Sequence, residues 1–491
     1  MPEPWATLEY GDRVVLFSTH TGRWTTIDAE TFQRARADGW SDGLQLRLRR
    51  MGLDRVPTDE ELTTWVPVRH RRALLLPDRP ALWAPDPTVH GPGGHRWRAV
   101  PLEPEDLRLL AAIDGSAPVS RVASRAGTST EVALRRLARF HQPELQVVQL
   151  RPGPTRQRDP SLLELAGPPR AANVRTEDQH DEAGATTLGA WHHRISGGER
   201  HFDDVETTVA HALALPHPAL GGVPYGQRLR QVLRERGFAT EGPVVEVGCG
   251  DGELASAWLA SDPTPYLRLD LSPELLRTQA RAAPSSRGVL ADATRLPLRD
   301  ASVSLLLSNE VLADLPAVPV AADHPEVRAL RAAHELAPNP AGSWENLGAW
   351  QMVREVARVL APGGRAMLSE FGEPDGPPEE AVQLDHPEVS IRFDHLVRIA
   401  TDLGLRAELV RLDDLLCADL DAPQLARHAH EGLRALFAAH GQHLAARAWT
   451  PDTLALPERV EGLEFVPLTQ PGPGPLVTRF QALLLERRAD G

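Results

Sequence analysis

The chain has no lysine: all 53 of its basic side chains are arginine. That absence excludes a Schiff-base lysine, a lysine general base and a P-loop lysine. Pyridoxal enzymes, class I aldolases and Walker-type NTPases go with them. Cysteine is almost missing as well. Cys249 and Cys417 are the only two, too few for a disulfide framework or a zinc site. Long apolar runs are lacking: Leu109 to Ile113 and Ala435 to Ala439 fall far below membrane-span length. The opening MPEPWATLEYGD carries neither a basic n-region nor an apolar h-region. The expectation is a cytoplasmic protein without a membrane segment. No group of residues has metal-ligand spacing, so no metal is expected.

What is present is an ordinary globular balance. The chain has 491 residues, 42% hydrophobic and 24% charged. That length suggests about three domains with enough apolar material for full cores. The formal charge of −14 makes nucleic acid an unlikely partner, because such binding rests on neutralising phosphates.

Residues 1–60 read as a small α+β unit. RVVLFSTHTGRWTTID alternates as two strands about a His20-Thr21-Gly22 turn, and short helices follow. Residues 61–150 begin with Pro- and Gly-rich strands. Three helices then follow over EPEDLRLLAAID, Pro118 to Ala126 and TSTEVALRRLARF, the last capped by Thr128 or Ser129. LQVVQL reads as a closing strand. Three short helices with a β-element describe a winged helix. Residues 151–199 are poor in apolar periodicity and read as a linker. From about 200 to 491, strands and helices alternate as in a doubly wound parallel α/β sheet. An insertion at about 317–350 reads as a substrate lid in which Trp344 and Trp350 line a groove or anchor the lid.

One segment, PVVEVGCGDGELASAWLA, carries most of the chemical argument. An apolar strand runs into Gly248-Cys249-Gly250-Asp251-Gly252 and then a helix. Glycines belong where the backbone turns sharply and lets a cofactor lie against it. A second strand ends in Asp270, about twenty residues on, where a carboxylate can grip a ribose diol. Asp292 follows a short third strand, and a Pro362-Gly363-Gly364 turn precedes a fifth.

This succession resembles the class I S-adenosylmethionine-dependent methyltransferases over roughly 240–412. The resemblance implies a Rossmann-like fold and S-adenosylmethionine as cofactor, with S-adenosylhomocysteine as product. It implies that Glu246, Gly248, Gly250 and Gly252 form the first motif. Asp270 with Leu271 would bind ribose, and Asp292 with Ala293 adenine. Cys249 falls in the same loop and is read as packing, and Asn309 joins the cofactor contacts.

Beyond the fourth strand lies Ser308-Asn309-Glu310, followed by Asp314-Leu-Pro316. This resembles the MidA family, which includes a protein-arginine methyltransferase, although the order of Asp and Ala differs. Glu310 and Asp314 are the first candidates for holding a cationic or proton-bearing acceptor, since two carboxylates suit a guanidinium. Glu370, Glu373 and His386 stand behind them as further catalytic candidates.

The N-terminal region resembles the leader-binding domains of enzymes that modify ribosomal peptides, in which a strand edge takes an extended peptide. A DNA-binding role is disfavoured, because residues 71–150 hold 11 arginines and 8 acids, a net of only +3. The expected activity is methylation of an N or O atom of a peptide or natural product. MidA-type arginine methylation and a cofactor-sensing transcription regulator are the alternatives. A peptide or protein is the expected partner, with a homodimer as one option.

Overall fold

The computed structural model describes residues 5–10, 13–91, 94–142, 144–153, 201–204, 207–240, 242–261, 263–383 and 386–489. It divides into two compact units. The first comprises 1–172 with 431–444 and 455–464; the second comprises 173–430, 445–454 and 465–491.

The second unit is built on one sheet. Its main strands are β1 (Val244–Val247), β2 (Tyr266–Asp270), β3 (Arg287–Leu290), β4 (Val303–Asn309), β5 (Leu360–Glu373), β6 (Leu405–Arg411) and β7 (Phe480–Arg487), and the short Ile391–Arg392 pairs with the end of β5. The spatial order is β3-β2-β1-β4-β5-β7-β6. Strands β3 to β5 run parallel, while β7 is antiparallel to both β5 and β6. The strand order reverses between β1 and β4, so a crevice opens beyond their carboxyl ends.

Alternation along each central strand feeds two cores. Val245, Val247, Leu306 and Leu368 face one side, where α4 (Leu347–Val359) and α5 (Phe393–Asp402) pack. Val244, Leu305, Leu307 and Met367 face the other, against α1 (Tyr225–Glu235) and α2 (Glu253–Ser261). Burial on both faces is why these strands read as near-continuous apolar runs. In α4, Trp350, Val353 and Val356 recur at helical spacing and form one buried stripe.

Two details differ from the sequence reading. Pro362-Gly363-Gly364 does not precede β5 but is looped out within it: Val303 pairs with Leu360 and Leu305 already with Arg365. The stretch 317–350 is a packed layer. Its helix Pro325–Ala333 buries Val327 and Leu330 in the α4-side core. Trp350 lies in α4 and is fully buried, so it lines no groove; Trp344 pairs with Pro319 in a two-stranded ribbon.

The first unit combines both N-terminal parts. Ala6–Tyr10, Arg13–Phe17 and Trp24–Asp28 form an antiparallel sheet, followed by helices Ala29–Asp38 and Asp42–Met51. Asp28 and Ser41 cap those helices, each side chain accepting from a first-turn amide. A second sheet, Leu74–Leu76, Ala81–Gly91 and Gly94–Pro101, precedes helices Pro104–Ala111, Val119–Arg125 and Thr130–His141. Val148–Arg151 then pairs with Val66–Arg69. The 1–60 and 61–150 parts share backbone bonds: Leu150 N–H donates to the Thr21 carbonyl at 2.8 Å. Two stretches expected in the 200–491 domain, 431–444 and 455–464, group with this unit instead. Within it Trp83 Nε1 donates to the Gly432 carbonyl, and Glu461 pairs with Leu75. The linker expected over 151–199 lies, from residue 154 on, outside the described residues.

Candidate active site

A cavity of about 1050 Å³, open to solvent, lies at the carboxyl ends of β1, β2 and β4. One end is formed by the glycine loop. Gly248 (φ 69°) and Gly250 (φ 50°) adopt left-handed backbone that side chains rarely take. A Cβ on Gly248 would lie 2.1 Å from Val311 Cγ2, and one on Gly250 would sit 3.1 Å from the Phe202 ring. The loop therefore needs glycine for its conformation as well as for space.

Asp270 ends β2 and is buried. Its Oδ1 accepts from Ser272 N at 2.9 Å; its Oδ2 accepts from Gln279 Nε2 at 2.7 Å and Cys249 N at 3.2 Å. Those donors fix the carboxylate in place on the cavity wall. Asp292 and Ala293 also line the cavity, where Asp292 Oδ1 accepts from Thr294 N. Leu271, Leu269 and Leu275 supply an apolar lining.

Glu246 lies beneath the loop and accepts from Tyr266 OH at 2.9 Å. Burial pushes its pKa up to about 7. Cys249 is buried, donates to the Glu246 and Leu269 carbonyls, and has its thiol pushed well up by burial. It is a packed, un-ionised thiol.

Asn309, Glu310 and Asp314 line the other end, at the end of β4. Glu310 takes left-handed backbone (φ 57°), unusual for a side-chain-bearing residue and a form of strain that concentrates at functional sites. Its Oε1 accepts from Val209 N and from Asn309 Nδ2, both at 2.8 Å. Asn309 Oδ1 in turn accepts from Tyr225 OH at 2.5 Å and Ser369 Oγ at 3.0 Å. Behind this row Glu370 is buried, its oxygens accepting from Ala313 N and Phe371 N. Burial, with Glu388, Asp314 and Glu310 nearby, drives its pKa well above the usual carboxylate range.

Residues 245–331, from β1 into the 317–350 layer, match the family described as a methyltransferase domain. Over those residues the chain carries a methyltransferase domain. A search of curated proteins finds no match. Among solved structures, a TehB-like methyltransferase of Corynebacterium glutamicum is similar at 18% identity over 40% of this chain and 83% of that one (TM-score 0.26). A methyltransferase of Methanosarcina mazei is similar at 13% over 52% and 97% (TM-score 0.27). A Burkholderia thailandensis N1-methyltransferase with bound didemethyltoxoflavin and S-adenosylhomocysteine is similar at 13% over 54% and 79% (TM-score 0.28).

S-adenosylmethionine is the cofactor of this methyltransferase, and the cavity suits it. A glycine cradle, an apolar middle and carboxylates at β2 and after β3 match a sulfonium amino acid joined to a nucleoside. Of the acceptor-side candidates, Glu310 and Asp314 reach the cavity and Glu370 stands behind them. Glu373, at the end of β5, is exposed and is not part of the lining, because β5 carries it past the cavity rim. The His386 side chain lies outside the described residues; its backbone pairs with Gln383.

Sequence reasoning missed the wall contributed by Phe202, Thr208 and Ala210. The short helices His201–Asp204 and Val209–Ala212 carry it. No motif in the sequence marks that wall. Among the described residues, His211, Asp251 and Glu253 have metal-like spacing. Arg447 already donates to Glu253 at 2.5 Å, so the group holds its cation as a guanidinium.

Proposed function

We propose that this methyltransferase modifies an N or O atom of a peptide or natural-product acceptor, and that the N-terminal unit recognises the substrate peptide. The observation that carries the acceptor half is the row of carboxylates at the β4 end, Glu310 and Asp314 on the cavity wall with Glu370 and Glu388 behind.

Methyl transfer from a sulfonium is an in-line displacement. The protein must align donor and acceptor and deal with the acceptor's proton. When bound, the cofactor supplies an electrophilic methyl group. Asp270 would hold the ribose diol, while Asp292, Ala293 and Leu271 would frame the adenosine. Glu246, the Gly248–Gly252 loop, Cys249 and Asn309 would enclose the methionine part. Glu310 and Asp314 would orient a proton-bearing or cationic acceptor and take up the proton it sheds. With no lysine in the chain, carboxylate, histidine or water is left for that task.

The peptide half is supported by a sheet edge. In the first unit, the edge strand Leu74–Leu76 already has Glu461 beside it. The opposite edge, Gly94–Pro101, pairs with Ala81–Gly91 alone among the described residues. An extended peptide would add there as a further strand. The test is incubation with isotopically labelled donor and peptides encoded by neighbouring genes, followed by product mass analysis. Label on a peptide that depends on the first unit for binding supports the reading. Label on arginine of a folded protein instead would favour MidA-type activity. No transfer, with a salt-dependent gel shift on genomic DNA, would favour the cofactor-sensing regulator.

A further inference from the structure

Phe202, Thr208 and Ala210 wall one side of the donor cavity, with Phe202 against the glycine loop and Val209 N–H on Glu310. We propose that Asp203, His211 and Asp251 form a charged clamp that fastens this wall to the glycine loop. His211 is thereby a positioning residue on which cofactor affinity depends.

His211 is buried, with Nε2 2.7 Å from Asp203 Oδ1 and Nδ1 2.5 Å from Asp251 Oδ2. An ionised carboxylate only accepts hydrogen bonds, so both contacts hold together only if both ring nitrogens carry protons. With both aspartates ionised, the geometry calls for an imidazolium between them. Each aspartate has a second anchor. Asp203 Oδ1 accepts from Ala446 N at 2.7 Å, and Asp251 Oδ1 accepts from Glu253 N at the start of α2. Arg447 donates to the His211 carbonyl and to Glu253.

The charged groups facing His211 are thus Asp203 on its own segment, Asp251 on the loop, Glu253 on α2 and Arg447. Burial disfavours the charged ring, but the hydrogen bonds to Asp203 and Asp251 outweigh it and raise the His211 pKa. A raised folded-state pKa makes the clamp fully effective at low pH; it is lost as pH rises through that pKa. Losing one proton turns one contact into two facing lone pairs, loosens 201–212 and opens the wall beside Gly250.

The test is calorimetric binding of S-adenosylhomocysteine to the full chain from about pH 6.5 to about pH 9, a window that spans histidine titration. The ligand's amino group also titrates there, so the readout is the difference between variant and native profiles. His211→Gln should weaken binding about tenfold at the low end, the loss of a charge-assisted contact, and should flatten the profile. Asp203→Asn keeps the oxygen that faces both His211 Nε2 and Ala446 N but removes one of the two negative charges that hold the ring protonated. It should therefore hold affinity at the low end while losing the native slope. Hydrogen exchange across 201–212 in the ligand-free protein should be faster in His211→Gln. A His211→Gln profile superimposed on the native one, unchanged exchange, or a native slope in Asp203→Asn would overturn the proposal. If His211→Gln does not fold, Asp203→Asn and histidine NMR of the native protein decide. A neutral His211 ring at about pH 7 would equally overturn it.

Discussion

At the glycine-loop end of the cavity, Asp270 is surrounded by hydrogen-bond donors: Ser272 N, Cys249 N and Gln279 Nε2. At the β4 end, Glu370 has Glu388, Asp314 and Glu310 for neighbours. One end is a socket in which a carboxylate is fixed by three hydrogen-bond donors. The other buries a carboxylate beside three more, and burial first, with their repulsion second, drives its pKa well above the usual range. Coulomb repulsion at low effective dielectric makes that crowding costly without a cation or proton to relieve it. On the proposed function, the first end would hold the donor and the second would manage charge during the reaction.

The largest expected effect tests the second half of that contrast. Glu310→Gln should lower turnover by about a hundredfold or more, the range of a lost general base. Donor binding should change little, because Gln keeps the oxygen that accepts from Val209 N and Asn309 Nδ2. Equal losses in turnover and donor affinity would put Glu310 in the donor socket and erase the distinction. Asp270→Ala reverses the pattern: donor affinity, read by calorimetry, should fall more than about tenfold. Unchanged affinity would mean that the ribose is held elsewhere.

Glu246 supplies the next test, on stability. Its folded pKa of about 7 lies above the usual carboxylate value because the group is buried. The native state therefore binds more protons than the unfolded state between about pH 4.5 and about pH 7. Stability of the ligand-free protein should fall as pH rises through that window, by an amount on the order of 3 kcal/mol. Glu246→Gln keeps an oxygen for Tyr266 OH and should remove that part of the slope in urea titrations. A slope that persists unchanged would assign the pH dependence to the β4-end carboxylates alone.

Much of the glycine-loop end of the cavity was legible in the sequence. Glycine spacing, an acid at the end of the second strand and another after the third are local consequences of backbone geometry, and they survive without tertiary information. The alternation of β1, β4 and β5 was equally readable. What stayed hidden depends on distant pieces of chain meeting. Phe202, Thr208 and His211 carry no motif, and their place on the cavity wall comes from contacts with Asp251 and Ala446. Trp350 looked like a lid residue because an insertion and a helix are hard to separate from pattern alone; its helical spacing with Val353 and Val356 was the signal passed over. The 431–444 and 455–464 stretches group with the first unit through single contacts such as Trp83 to Gly432, which no local pattern announces.

The smallest expected effect concerns Glu373, which the sequence placed beside Glu370 at the acceptor. The two are three residues apart on β5 but differ in setting: Glu370 is buried behind Glu310, while Glu373 is exposed. Its strand partner is Arg392, whose guanidinium already donates to Asp394. An exposed charge outside the cavity lining is screened by water and salt and contributes little to events inside. Glu373→Gln should therefore leave donor affinity and turnover within about twofold of native, the scale of a surface charge. A loss approaching that of Glu310→Gln would extend the acceptor end past the rim to the exposed end of β5. The crowding at Glu370 would then be one part of a longer acidic track for a large basic substrate.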